Sequence, residues 1–369
     1  MGNTSFPPSM RSSLLSNLDI LGVPIDDYLH CTHFISEKSP KLRLLSALVE
    51  VAAADLHVAT SLLRISGKLV HLARTTPPSL SHDSLKFFDE EVRHCFSSCL
   101  ALDIPDVHWQ QAQLSLSFGG LGFRSLSHHC CAAFISYLAF SGIGSASNRH
   151  LVSAISRLNT LVSPSDAITV EAILSSPPSQ HALSKKLDSH LFHSILMTSS
   201  PANKACLLSS SAAHASSWLS VVPSVGLGLH LDSSEFRTAV KWWLGMNSTA
   251  RSSCPFCPDI ALDPLGHHAV SCRHGGDVVI RHSRLRNIIA DLSHHAHLSV
   301  QVEVVTLNEA SIHEGAAALA AETRKHAAND ARCQALGWSC IPLAVETFGN
   351  WGREAQCVFS RLATLLALR

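Results

Sequence analysis

Charge is scarce in this chain. Asp, Glu, Lys and Arg make up 15% of its 369 residues, against 46% hydrophobic residues and a mean hydropathy of +0.19. That balance excludes disorder as the main state. It also leaves more apolar surface than a free-standing domain needs, so part of the chain is expected to pack against something else. Net charge is absent as well: 28 Lys+Arg face 28 Asp+Glu. No whole-chain field draws the protein to nucleic acid, and any such binding must come from a local basic patch. The 24 His would make the chain basic if a fraction of them protonated near pH 6.

Long apolar runs are missing too. No run approaches 18 apolar residues, and stretches such as CCAAFISYLAF (130–140) are of core-helix length, so no membrane partner is expected. The opening MGNTSFPPSM lacks a charged segment followed by an apolar one, and Phe6 stands where an acylation signal takes a hydroxyl residue. No targeting signal is visible and an intracellular, reducing location is expected, where metal binding outranks disulfides as a use for cysteine.

At roughly 150 residues per domain the length implies two or three domains. LSNLDILGVPI (15–25) reads as strand, Gly-Val-Pro turn and exit, part of a β-hairpin. Leu42, Leu45 and Val49, then Val58, Leu62, Ile65, Leu69 and Leu72, recur at helical spacing until Thr75-Thr76-Pro77-Pro78, which predicts a helical pair. A further amphipathic helix is expected from about Ser81 to Leu100. Leu85, Phe88, Val92, Phe96 and Cys99 form its apolar face, with Asp83, Asp89, Glu90 and Arg93 opposite. The glycines of GGLGF (119–123) lack the Lys-Ser/Thr of a phosphate loop and are read as a structural loop. Residues 141–245 read as a Ser/Ala-rich helical connector, closed by a firmer helix in which Trp242 and Trp243 are packing residues.

Twelve cysteines are present, and nine follow no framework; most of these sit in apolar helical patterns as small core residues. The other three do follow one. Cys254-Pro-Phe-Cys257 is followed after nine residues by His267-His268, then by Cys272. A tetrahedral zinc site needs four soft or borderline ligands. A C-x2-C turn supplies two thiolates, and a His and a Cys three or four residues apart supply the rest. Either His267 or His268 satisfies the spacing, the other being free to orient a ligand, and His274 is a further competitor. A closed Cys3His set leaves no open coordination position, so the zinc is expected to be structural. Directly after it Arg281, His282, Arg284 and Arg286 crowd the start of a helix, the local basic patch that zero net charge required.

The run CPFCPDIALDPLGHHAVSCRHGGDVVIRHSRLR (254–286) resembles the zinc-binding segment of non-LTR retrotransposon polyproteins that carry a restriction-like endonuclease at the C-terminus, the R2-like class. LDILGVPI is similar to the primer-grip hairpin after the reverse-transcriptase palm, and the helices of 40–140, ending in HWQQAQLSLSFGGLGFRSL, are similar to the thumb and the region after it. AAETRKHAANDARCQALGWSCIPLAVETFGNWG resembles the last helix and strand of the endonuclease. The resemblance implies a mainly α protein. Its expected parts are a primer-grip hairpin plus thumb-like helices over 1–140, the connector over 141–245, a zinc module with basic helix over 246–297, and a small α/β remnant over 298–369. It also implies a nuclear location.

Two departures bear on activity. The family's palm carries a Tyr/Phe-x-Asp-Asp box for the two metal ions of nucleotidyl transfer, and this sequence has none; Asp26-Asp27 follows the hairpin and precedes Tyr28. The family's endonuclease resembles PD-(D/E)xK nucleases, yet here Glu303 runs through Val304-Val305 into Thr306 and on to Glu309, and both acidic strands are missing. Glu303, Glu322 and Lys325 are the remaining candidates for that site, and Glu322 with Lys325 reads more simply as an i,i+3 surface pair. The expectation is a truncated, non-catalytic retroelement protein that binds DNA or RNA through the patch, with a separate palm-containing chain as a further partner. The alternatives are a Mg²⁺-dependent nuclease using Glu303, Glu309, Glu322 and Lys325, and a zinc-knuckle module that binds protein.

Overall fold

A computed structural model describes residues 18–20, 23–25, 28–37, 40–66, 70–142, 146–248, 253–258, 260–296, 304–307, 315–346 and 349–367. The chain is mainly helical. In order it contains β1 (Leu18–Ile20), β2 (Val23–Ile25), α1 (Tyr28–Glu37), α2 (Pro40–Ala54), α3 (Leu56–Ser66), α4 (Val70–Thr75), α5 (Pro78–Leu100), α6 (Asp106–Gln113), α7 (Leu126–Ser141), α8 (Arg149–Asn159) and α9 (Val170–Ser175). There follow α10 (Gln180–Thr198), α11 (Pro201–Ser210), α12 (Ser217–Ser220), α13 (Ser233–Trp243), α14 (His267–Ser271), α15 (Asp277–His295), β3 (Val304–Leu307), α16 (Ala316–Ala335), β4 (Leu343–Glu346) and α17 (Arg353–Ala367). No helix among the described residues is long and apolar enough to cross a membrane.

Two compact units emerge, one of residues 1–103 with 124–191 and one of 104–123 with 192–369. The expected connector 141–245 is therefore not one segment of the fold; it is shared between the units.

The first unit is a helical cluster behind a hairpin. β1 and β2 pair antiparallel with Leu18 opposite Ile25 and Ile20 opposite Val23, so Val23 and Pro24 lie in the second strand and not in a turn. α5 starts at Pro78, where the lost N–H costs nothing. It ends on Ala101 in the left-handed conformation, whose N–H closes on Ser97 and Ser98. Leu85, Phe88, Val92, Phe96 and Cys99 are buried as the periodicity predicts. Asp89 departs from it: it is buried, and its carboxylate accepts bonds from the Ser125 and Ser127 hydroxyls and from the Leu126 and Ser127 N–H groups at the start of α7. A carboxylate there satisfies helix-end donors and complements the dipole, which outweighs its place in the polar pattern. The phase of α2 and α3 also differs from the sequence reading. Val49 and Leu62 are exposed, while Leu48, Leu56, Ala59 and Leu63 are buried. The side chains of Leu42, Leu45, Ile65 and Leu69 lie outside the described residues.

In the second unit α6 and the glycine loop pack with α11 and α13. Trp243 is buried, stacks edge-on against Trp218 at 5.6 Å and donates its indole N–H to the Gly120 carbonyl, confirming it as a packing residue. Gly120 approaches Leu114 so closely that a Cβ would lie 2.0 Å from the Leu114 carbonyl oxygen, so the glycine serves structure and not phosphate. Toward the C-terminus β3 and β4 pair in parallel, with Val304 opposite Leu343 and Leu307 opposite Glu346, and α16 forms the crossover. Small residues let α16 sit close on this ladder: Ala317, Ala318, Ala321 and Ala344 form one buried cluster. Ile289 of α15, Leu343 and Ala355 form another, backed by Leu285, Trp351, Val358 and Phe359. α15 is thus built into the α/β layer, where the sequence reading assigned it to the zinc module alone.

Candidate metal centre

The C-x2-C segment is the tip of a short hairpin. Ser253 bridges Ala261, and the Cys254 N–H donates to the Ile260 carbonyl at 2.9 Å. Gly275 fits beneath the Phe256 ring, 2.7 Å from where its Cβ would lie, which closes the turn against the chain entering α15. On the other side Asp263 caps α14. Its two carboxylate oxygens accept the N–H groups of His267 at 3.0 Å and His268 at 2.9 Å. Burial works against the ionised Asp263, but these N–H bonds outweigh it and hold the carboxyl below its ordinary value.

This cap decides between the two histidines. His268 joins Cys254, Cys257 and Cys272 in a group whose ligand atoms all lie within 4.8 Å of one another. His267 turns outward, with its Nδ1 3.3 Å from Asp263, and is not part of the group. His274 touches Cys257, its Nδ1 3.3 Å from the sulfur, without joining the four. Cys272 lies 3.5 Å from Cys257 and 3.8 Å from Cys254, sulfur to sulfur. All three cysteines are buried, and the Nε2 of His268 is buried without a hydrogen bond, which suits a nitrogen that would ligate.

The thiols are prepared unequally. The His274 N–H, helped by Cys257 and the Gly275 N–H, holds Cys272 below its ordinary value. Burial opposes the Cys254 thiolate, but the Phe256 and Cys257 N–H groups and the His268 ring outweigh it and lower this thiol too. Burial and the sulfurs of Cys272 and Cys254 push Cys257 up to about 12. A divalent cation would relieve that crowding, since it takes all three as thiolates. The donor set fits a structural zinc: three sulfurs, one imidazole and no open position.

No family model matches the chain, and no curated protein matches it. The chemistry of the site therefore rests on these residues alone.

The basic cluster beside the centre is divided by helix phase. Arg281, Leu285, Ile289 and Ser293 recur every four residues on the inward stripe of α15; Ile289 and Ser293 are buried and Arg281 is half-buried. The Arg281 guanidinium donates to the Val270 carbonyl at the end of α14, so it clamps the metal module to the helix. Arg284 and Arg286 are exposed, flanking that stripe roughly 160° apart, and Arg286 also bonds Asn287. His282 is half-buried. An exposed Arg273, next to Cys272, was not singled out in the sequence reading.

Of the candidate acids, Glu303 and Glu309 lie outside the described residues. Glu322 is not a surface residue: it is buried, and its carboxylate accepts the Glu354 N–H at the start of α17. Lys325, three residues on, is half-buried. Burial holds the Glu322 carboxyl above the usual carboxylate range. Sequence reasoning missed Glu346, at the end of β4, whose carboxylate accepts the Ala317 and Ala318 N–H groups and the Asn350 amide. Both acids cap helices. Among the described residues neither belongs to a group of three metal-ligand side chains.

Proposed function

We propose that the chain is a nucleic-acid-binding protein without catalytic activity, related to the retroelement polyproteins that its zinc segment resembles, and that zinc holds its binding surface in place. The observation that carries this reading is the buried Cys3His group joined through Arg281 to a helix with exposed Arg284 and Arg286. With the zinc bound, α14 and the first turns of α15 become one rigid element, and the two arginines are held at fixed positions on its flanks. Arginines on opposite flanks of one helix suit phosphates on the two sides of a groove. A palm-containing chain as a further partner and a nuclear location belong to the same reading.

The test is a salt titration of binding to duplex DNA and to single-stranded RNA. Each phosphate contact contributes a slope of about −0.9 in log K against log salt on the duplex and about −0.7 on a single strand, so R284A/R286A is expected to flatten the slope by about 1.8 or 1.4 units. Binding like the wild type would reduce the patch to a solvated face. Incubation with supercoiled plasmid and Mg²⁺ or Mn²⁺ separates the nuclease reading: nicking that disappears in E303A would replace this proposal. A protein-binding module is the other reading, favoured by the exposed Phe256, Val279 and Ile280 beside the metal centre. It predicts no binding to either nucleic acid.

A further inference from the structure

A second group of ligand-type side chains lies at the C-terminal end of α16. His326, Asp330 and Cys333 stand at i, i+4 and i+7, one stripe of the helix. Beyond Cys333 the chain reverses at Gly337, which takes the left-handed conformation, while the Trp338 N–H closes on the Cys333 carbonyl. That reversal returns Cys340 to the stripe. The ligand atoms of His326, Asp330 and Cys340 lie within 4.8 Å of one another; Cys333 is outside that group of three but stands on the same stripe, one turn beyond Asp330, and after burial raises the Cys340 thiol electrostatically. All four are half-buried.

The ring of His326 is held at both nitrogens. Nδ1 meets the Asp330 carboxylate at 2.8 Å, and Nε2 meets Glu354, in the first turn of α17, at 2.6 Å. An imidazole that bonds a carboxylate through one nitrogen and turns the other toward further ligands is the arrangement found around metal-bound histidines. Two sulfurs, one imidazole nitrogen and one carboxylate oxygen select zinc over magnesium or calcium, which take oxygen ligands.

We propose that His326, Asp330, Cys333 and Cys340 form a second structural zinc site, with Glu354 outside the ligand set holding the His326 ring. Bound there, the metal ties the last turns of α16 to the segment that enters β4. The competing arrangement is an ion pair only, with Asp330 and then Glu354 raising His326 to about 9 so that a proton sits where the metal would. Zinc binding must displace that proton.

The test counts zinc in the purified full chain, loaded with Zn²⁺ under reducing conditions. Wild type is expected to retain two zinc per chain, C340S one, C257S one, and the double variant none. The two sites fail separately: a single zinc lost in C340S and kept in C257S would support this site and refute the Cys3His centre. A single zinc lost in C257S and kept in C340S would overturn this proposal, as would two zinc retained in C340S or none in wild type. Unfolding is controlled by two further variants. E354Q, which leaves the four ligands in place, is expected to weaken zinc at this site by ten- to a hundredfold in competition with a chromophoric chelator. In Co²⁺-loaded protein D330C is expected to add thiolate-to-cobalt absorption, because it adds a third sulfur. Unchanged affinity in E354Q together with unchanged absorption in D330C would leave only the ion pair.

Discussion

Removing zinc from the Cys3His centre is expected to release the segment 253–276 while the first unit stays folded. The apolar atoms around the site cannot hold it: among the described residues the buried cluster is the three cysteines themselves, with only Leu262 packed against them. Burying part of one leucine is worth about 1–2 kcal/mol. Structural zinc in small fingers supplies about 10–16 kcal/mol at neutral pH. The metal term dominates several-fold, so folding of this segment is linked to metal concentration. With free zinc at about a thousand times the dissociation constant, the linkage is about 4 kcal/mol, or roughly a thousandfold in the open population. Amide hydrogen exchange reads this directly. The N–H groups to follow are Cys254, bonded to Ile260, Gly266, bonded to Asp263, and His267 and His268, bonded to the Asp263 carboxylate. Their exchange is expected to accelerate toward the unfolded rate on chelation and in C257S, while the Ala101 N–H that ends α5 does not change. Equal protection of the four amides with and without metal would refute the reasoning, since it would mean that hydrogen bonds and packing suffice.

Three further outcomes follow from the second unit. G120A is expected to lose about 3 kcal/mol, because the new methyl meets the Leu114 backbone and not a movable side chain, and a melting temperature within about 2 °C of wild type would contradict the close approach. E346A strands the Ala317 and Ala318 N–H groups and the Asn350 amide and is expected to cost about 3 kcal/mol in urea denaturation, with E346Q costing less because its amide oxygen still accepts; equal, near-zero costs would show that water replaces the cap. E322Q addresses pH. Because burial raises the folded carboxyl, ionisation above the unfolded value near about 4.3 costs wild-type stability, so E322Q is expected to melt higher at pH 7 and to lose that advantage as pH falls toward about 4. A difference independent of pH would mean that Glu322 titrates alike in both states.

Much of the fold was legible where its causes are local. The core face of α5 followed from its helical spacing, although the helix starts at Pro78, three residues before the expected Ser81, and the metal group followed from a C-x2-C turn with His and Cys at ligand spacing after it. The glycine loop was legible as structural because the phosphate-binding residues are missing from its flanks. Periodicity in α2 and α3 misled by one residue, since their buried faces also carry small and polar residues, Ala52, His57, Ala59 and Thr60, that a pattern of large apolar residues does not register.

What only the tertiary structure decided are the places where a polar group meets a partner far along the chain. Asp89 reads as a surface acid until the start of α7, 36 residues on, delivers its donors; Glu322 reads likewise until α17 presents its N-terminus, and Glu346 gives no signal until α16 does. Arg281, Arg284 and Arg286 look like one patch in the sequence, yet the stripe that seats Leu285 and Ile289 against β4 and α17 turns Arg281 inward to Val270. His267 and His268 are equivalent by spacing, and the Asp263 cap separates them. Spacing along a chain fixes which residues share a helix face or a turn, but the direction of that face depends on what packs against it, and a buried donor or acceptor takes whichever partner the packing brings.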